Sequence, residues 1–347
     1  MKESLTLLVT LKDRHEFTRR LCEYLSRIKY PFHVFFADGS ISDDNEHYFK
    51  SLGNQNFEYT YKRYSQDISL LNYYEKCYQA VRDIKTPYVM MADNDDFPIP
   101  EGQLRAVQFL EKNIDFCGCN GRVAGISFYP DTSEPYGARC LFHQYYCQTM
   151  DVPVLLNQVS AIDRINSYLS HFYSIFYGIF RRDTLETTFF LTKDLNFSEL
   201  GIHELFFSYM QLTQGKMHSI DTITYIRQKG SSQSAASQKD WFYRLFYTNW
   251  LEDSRKAIST VAEHIAQVEH KDPVACDEIL YAQFVDRMRN RYVQAQPKTL
   301  TCHQLGGIFF SQLFKRAPSF AEKLSARLYL DKPSLACIGA FCREEAH

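Results

Sequence analysis

The stretch YVMMADNDD, residues 88–96, runs an apolar strand-like segment straight into four polar residues, three of them acidic. Tyr88 to Ala92 has the unbroken apolar character of a strand buried on both faces, and Thr86-Pro87 ahead of it breaks any helix. Asp93, Asp95 and Asp96 then crowd the carboxyl end of that strand, where a parallel sheet opens its ligand crevice. Like charges this close repel unless a cation joins them. Hard oxygen donors suit Mg²⁺ or Mn²⁺, which take one or two carboxylates and complete their shell with phosphate and water. The other local reading is a solvated turn whose Asp caps the helix beginning near Glu101. An EF-hand is excluded, because the D-x-[DN]-x-[DN]-G spacing and its distal Glu are missing.

Working back towards the N-terminus, strand-like and helix-like segments alternate, the pattern of a mostly parallel sheet covered by helices. Leu5 to Thr10 is a compact apolar strand. Asp13 and Glu16 then have capping-box spacing ahead of Phe17, Leu21, Tyr24, Leu25 and Ile28 at helical period. His33 to Ala37 is a second strand ending at Asp38-Gly39-Ser40, and a polar helix follows around Asn45 to Leu52. Phe57 to Tyr64 is a third strand, and Leu70 to Val81 a helix with one apolar face, so the 88–96 segment is the fourth strand, after three βα units.

Working forward, a helix spans about Gln103 to Lys112. From Phe116 to about Val159 β-branched, aromatic and Gly/Pro-containing stretches predict antiparallel strands and longer loops. Further helices are expected near Asp163 to Ser170, Asp183 to Leu191 and Ser198 to Leu212, with strands at Phe172 to Phe180 and Lys216 to Arg227. GSSQSAASQ, residues 230–238, is the longest small-polar stretch and marks a domain boundary; Lys239 to His347 reads as helices broken by Pro273, Pro297 and Pro318.

The 347 residues carry 39 Lys plus Arg against 41 Asp plus Glu, with 45% hydrophobic and 15% aromatic content. That composition excludes disorder, collagen and coiled coil, and a net charge of -2 argues against a nucleic-acid binder. Ten cysteines with no CxxC pair read as reduced core thiols; Cys117 and Cys119 stand too close together for a zinc knuckle. The N-terminal apolar stretch is too short for a signal peptide, and no run approaches the ~20 apolar residues of a membrane span. A cytoplasmic location is expected. Leu305 to Leu330 joins an aromatic run to Lys315, Arg316, Lys323 and Arg327; it suits packing, an oligomer interface, or peripheral docking at the inner face of the cell membrane.

Three strand ends, TLKDR at 10–14, FADGS at 36–40 and DNDDF at 93–97, fall in the order and spacing of the GT-A nucleotide-sugar glycosyltransferases. The sequence resembles the family 2 type of bacterial glycosyltransferase over about residues 4 to 230. Lys12-Asp13 departs from the aromatic and Asn common in that family, and FADGS keeps one of two Asp residues. The resemblance implies an α/β GT-A fold, a mostly parallel Rossmann-like sheet flanked by helices with a C-terminal helical extension. Residues 1–238 would be the nucleotide-sugar-binding catalytic domain and 239–347 a helical region.

The resemblance also implies roles by position. Asp95, with Asp93, would ligate a divalent Mn²⁺ or Mg²⁺ bridging the diphosphate, and Asp96 would position the donor sugar. Asp38 would bond base or ribose, and Thr10, Arg14 and Arg63 would contact the nucleotide. Arg227 or Lys229 would pair with phosphates from a closing loop, and Glu204, or its neighbour His203, would be the base that activates the acceptor hydroxyl. The implied activity is metal-dependent, inverting transfer of a sugar from a nucleotide-sugar donor to a glycan or lipid-linked acceptor. A sugar-phosphate nucleotidyltransferase shares the sheet, but it needs a glycine-rich loop that TLKDR lacks. A HAD-type phosphatase places Asp-x-Asp after its first strand. A glycan-binding or scaffolding protein would be favoured by loss of the acidic residues, and none is lost.

Overall fold

The computed structural model describes residues 3–145, 155–170, 175–230 and 249–294, together with Ile338 and Phe341. Its first half alternates β1 (Leu5–Leu11), α1 (His15–Arg27), β2 (His33–Asp38), α2 (Asp44–Ser51), β3 (Tyr59–Arg63), α3 (Leu70–Asp83) and β4 (Tyr88–Asp93). The second half holds β5 (Phe97–Pro98), α4 (Pro100–Lys112), β6 (Phe116–Tyr129), β7 (Arg139–Tyr145), β8 (Leu155–Leu156), α5 (Ala161–Ser170), β9 (Ile179–Arg181), α6 (Arg182–Leu195), α7 (Leu200–Gln214) and β10 (Lys216–Gln228). Two long helices follow, α8 (Trp250–Glu269) and α9 (Pro273–Gln294).

The ten strands of the described residues join one sheet, ordered β3-β2-β1-β4-β9-β6-β10-β5, with β7 on β6 and β8 on β10. The pairs β3-β2, β2-β1, β1-β4 and β6-β10 are parallel. Strand order reverses at β1, which lies between β2 and β4, so the crevice opens at the carboxyl ends of these strands. Register places Thr10 beside Asp93, Leu11 beside Asp38, and Asp38 beside Arg63, gathering all three motif ends on one edge.

Residue alternation divides the core between the two faces of the sheet. Leu5, Leu7, Val9 and Leu11 of β1 join Val34, Phe36, Met90 and Ala92 in one cluster, while Leu8, Phe35, Ala37, Val89 and Met91 enter the other. Because both faces are covered, these strands read as unbroken apolar runs. Helices α8 and α9 share the second cluster through Trp250, Ile258, Val261, Ile265, Leu280 and Phe284, so they hold no separate core. Ile338 and Phe341 are buried in the first cluster on the opposite face, and the Phe341 ring centroid lies 5.8 Å from that of Tyr24.

Two local expectations are corrected. Asp13 does not cap α1. Its carboxylate accepts from the Ile41 and Ser42 N–H groups, at 2.9 and 3.2 Å, so it ties down the loop after β2. Arg14 takes the cap position without a side-chain cap, and Asp13 and Arg14 are both left-handed, with φ of 55° and 56°. Nor does the strand expected at 172–180 run that length. Among the described residues of that stretch only Ile179–Arg181 pairs, and Ile175 to Gly178 form a turn closed by Gly178 N–H donating to the Ile175 carbonyl at 2.8 Å. Residues 172–174, the small-polar stretch 231–238, the aromatic run 241–248 and the basic stretch 305–330 lie outside the described residues. Among the described residues six cysteines are free and buried: Cys22, Cys77, Cys117, Cys119, Cys140 and Cys276.

Candidate functional site

Asp93, Asp95 and Asp96 each offer a carboxylate oxygen, and the three oxygens lie within 4.8 Å of one another. Asp93 ends β4 and the others occupy the turn into β5, so a short connection between a strand held by β1 and β9 and a strand held by β10 fixes all three. This spacing and hard-oxygen chemistry fit a divalent cation. The alternative of a solvated capping turn fails, because Asp95 and Asp96 are buried and α4 starts at Ile99-Pro100 with no side-chain cap.

Each carboxylate has its own support. Tyr177 donates its hydroxyl to Asp93 Oδ2 at 2.6 Å, and the Asp93 N–H donates to the Tyr225 hydroxyl oxygen at 2.9 Å. The two tyrosine rings stack with centroids 4.9 Å apart, and the Arg227 guanidinium sits 4.6 Å from the centre of the Tyr177 ring. Asp95 Oδ2 accepts from Arg14 Nη2 at 3.0 Å. Asp96 Oδ1 accepts from the Gln228 N–H at 2.8 Å, and Arg227 Nε lies 3.6 Å from Oδ2. Burial first, and the charge of Asp95 second, push the Asp93 and Asp96 carboxyls upward, Asp96 the further, against the opposing pull of Arg227. The cluster therefore favours a cation electrostatically. Asn94 faces away from it, donating to the Arg14 carbonyl at 3.2 Å and Thr18 Oγ1 at 3.0 Å, which holds the start of α1 against the turn.

Asp38 is fully buried with both oxygens engaged: Ser40 bonds Oδ1 through N–H and hydroxyl, and the Tyr61 hydroxyl donates to Oδ2 at 2.6 Å. Arg63 binds Glu46 Oε2 at 3.1 Å, Asp43 Oδ1 at 3.0 Å and the Ser40 carbonyl at 3.2 Å, bracketing the Asp38-Gly39-Ser40 turn against α2. Behind that turn Lys76 and Asp67 form a buried ion pair, and Lys76 Nζ also donates to the Leu11 carbonyl at 2.8 Å. Gly39 is required here, because a Cβ at that position would overlap the Asp67 carboxylate. Lys229 is half-buried, which lowers its ammonium, and its N–H donates to the Ile126 carbonyl at 2.7 Å.

No protein-family model matches the sequence, and no curated protein sequence matches it. Solved structures do match. TarS 1–349 of S. aureus, crystallised in complex with UDP-GlcNAc, superposes with a TM-score of 0.51 at 15% identity, over 82% of this chain and 72% of that one. At this identity the likeness is one of fold. The fold is GT-A. TarS 1–349 in another crystal structure gives a TM-score of 0.49 at 16% identity, over 98% of this chain and 88% of that one. Against the longer TarS chain the TM-score is 0.47 at 14% identity, over 85% of this chain and 46% of that one, so this chain spans about half its length.

Within this GT-A fold the structure brings together Thr10, Arg14, Asp93, Asp95, Asp96 and Arg227 at one sheet edge. It keeps His203 apart. That imidazole is 1% exposed among Tyr74, Phe176, Phe189 and Phe207, with neither ring nitrogen hydrogen-bonded. The Phe176 ring lies 5.9 Å from His203 and 5.3 Å from Tyr177, whose hydroxyl bonds Asp93. An acceptor cannot reach a nitrogen so enclosed; His203 is a core residue, not a base. Glu204 is exposed on the next position of α7.

Burial pulls the His203 imidazole down to about 3. A base held neutral by folding lends stability above its unfolded pKa of about 6.5 and loses it as pH falls towards the folded value. Between pH 7 and 5 this residue alone should remove about 2 kcal/mol. His203→Phe is expected to flatten that part of the stability curve and raise stability at pH 7 by about 1 kcal/mol through removal of unpaired polar atoms. Urea unfolding of both proteins at pH 7 and 5 measures this; parallel pH profiles would refute it.

Sequence reasoning missed Arg20, Gln228, Tyr177, Tyr225 and the Asp67–Lys76 pair. For Arg20 there was a signal: it stands three residues after Phe17 and four before Tyr24, on the apolar face of α1.

Proposed function

We propose that the protein is a metal-dependent glycosyltransferase that moves a sugar from a nucleotide-sugar donor to a glycan or lipid-linked acceptor, with inversion. The supporting observation is the three-carboxylate cluster at the reversal of strand order in a GT-A sheet, flanked by Arg14 and Arg227. In this reading Asp95 and Asp93 hold Mn²⁺ or Mg²⁺, which stabilises the charge developing on the departing nucleoside diphosphate. Asp96, held by the Gln228 N–H, orients the donor sugar. Arg14 contacts the nucleotide and Arg227 or Lys229 pairs with its phosphates, while Thr10 lines the nucleoside. Asp38 and Arg63 act indirectly, by shaping the turn on which the nucleoside rests. Glu204 takes the proton from the acceptor hydroxyl as it attacks the anomeric carbon.

UDP-GlcNAc, the ligand of the superposed TarS structure, is the first donor to test. No helix of the described residues is long and apolar enough to cross a membrane. For a lipid-linked acceptor, peripheral contact through the basic stretch at 305–330 is the candidate. Homo-oligomerisation through the same stretch is the other use we assign to it.

The testing experiment is a thermal-shift series of UDP, GDP, CMP, dTDP and their sugar conjugates, with and without Mn²⁺. A ligand at 100 times its Kd adds about 2.7 kcal/mol of stability. We expect one nucleotide to stabilise the protein, and to do so more strongly with Mn²⁺. Absence of any response across the panel would overturn the proposal.

A further inference from the structure

Arg20 is fully buried in the middle of α1, and its guanidinium donates to three oxygens around the acidic turn. Nη2 donates to the Asp95 carbonyl at 2.5 Å, and Nη1 donates to Gln228 Oε1 at 2.6 Å and to the Pro135 carbonyl at 2.5 Å. Its guanidinium carbon lies 4.5 Å from the centre of the Phe97 ring, 5.1 Å from Phe17 and 5.6 Å from Phe128. Gln228 extends the connection: its N–H binds Asp96 Oδ1, and its side-chain amide donates to the Thr132 and Glu134 carbonyls at 3.0 and 2.8 Å. Arg20 and Gln228 together join the acidic turn, the end of β10 and the 132–135 connection between β6 and β7.

A buried cation is costly unless its charge and donors are used. Here the charge sits behind the backbone of a turn bearing three carboxylates and leaves their oxygens to other partners. The donors grip a backbone carbonyl of the same turn, and a planar fork sets direction where an ammonium would supply only a point charge. We infer that Arg20 is a positioning residue: with Gln228 it holds Asp95 and Asp96 in the arrangement that binds a divalent cation, and couples that arrangement to the β6–β7 connection. This rests on the proposed metal-dependent reading, and it goes further by assigning a residue that touches neither metal nor donor.

The test titrates Mn²⁺, followed by its EPR signal with and without UDP, into the full-length wild type, Arg20→Lys and Gln228→Met. Arg20→Lys keeps the charge and loses the fork. Groups that orient metal ligands from behind are worth about 10–100-fold in metal affinity. We expect Arg20→Lys to fold with wild-type circular dichroism and to bind Mn²⁺ 10–100-fold more weakly. Gln228→Met should show a similar loss, and the double variant little more than either alone, because both act through one network. If Arg20→Lys does not fold, Gln228→Met carries the test. Wild-type Mn²⁺ affinity in the folded variants would overturn this inference and leave the functional reading standing. A wild type that takes up no Mn²⁺ would overturn that reading and this inference with it.

Discussion

Asp95→Asn is expected to cut turnover by about 10²–10³-fold, about 2.7–4 kcal/mol of transition-state stabilisation, the scale of losing one preorganised electrostatic group. Asp95 is the member of the cluster paired with Arg14, at 3.0 Å, and its backbone carbonyl is held by Arg20 at 2.5 Å. The amide is isosteric, so the Arg20 contact to the backbone survives, and the ion pair with Arg14 is exchanged for relief of the repulsion among the three carboxylates. Without metal the variant should be at least as stable as the wild type. The Asp95 charge is the second cause, after burial, of the upward shifts at Asp93 and Asp96, and its loss relieves both. A melting temperature kept or raised in EDTA, with loss of Mn²⁺-dependent stabilisation by nucleotide, would separate a binding defect from a folding defect. Unchanged turnover and unchanged metal-dependent nucleotide binding would sink the mechanism.

Lys76→Met is expected to destabilise the fold by about 3–5 kcal/mol, the cost of breaking a buried ion pair from one side. Both side chains are at most 2% exposed, and Lys76 also binds the Leu11 carbonyl at the end of β1. Removing the ammonium leaves a carboxylate wedged under Gly39 with its Oδ1 already lacking a hydrogen-bond partner. Burial already pushes the Asp67 carboxyl up, and Lys76 opposes that shift. In the variant Asp67 therefore moves further up. A carboxyl raised in the folded state binds its proton more tightly there than when unfolded, so stability returns as pH falls. Urea unfolding should show the largest deficit at pH 7 and a smaller one at pH 5. A deficit below 1 kcal/mol, or one that grows on acidification, would refute this account. The same lesion should weaken nucleotide binding, because the Gly39 turn rests on Asp67 through the Asp67 N–H to Gly39 carbonyl bond of 2.8 Å.

The alternation of strands and helices as far as β4, the acidic turn after it and the gathering of three motif ends on one edge could all be read from consecutive residues. Strand alternation, apolar runs and breakers act over a few positions, and the rule that parallel strands present their carboxyl ends together does the rest. Even the division of Leu7 and Leu8 between two core faces follows from a period of two. The C-terminal helices were legible as helices, but not as members of the second core, because their partners on α5 and α7 are far away in the chain.

Partnership across the chain is what local pattern cannot carry. Arg20 meets Gln228 across 208 positions and the Asp95 carbonyl across 75, and Tyr177 meets Asp93 across 84. Those distances close only when β5 and β9 take their places beside β10 and β4. His203 illustrates the converse. Its neighbourhood beside Glu204 at the start of a helix suits a base, yet the helix turns that ring inward, and packing against Phe176, Phe189 and Phe207 settles its chemistry. Residue type and spacing thus set where charge collects. Which oxygen is free, which is bonded and which ring is sealed from water follow from side-chain packing, since burial and hydrogen bonding belong to the folded neighbourhood and not to the residue alone.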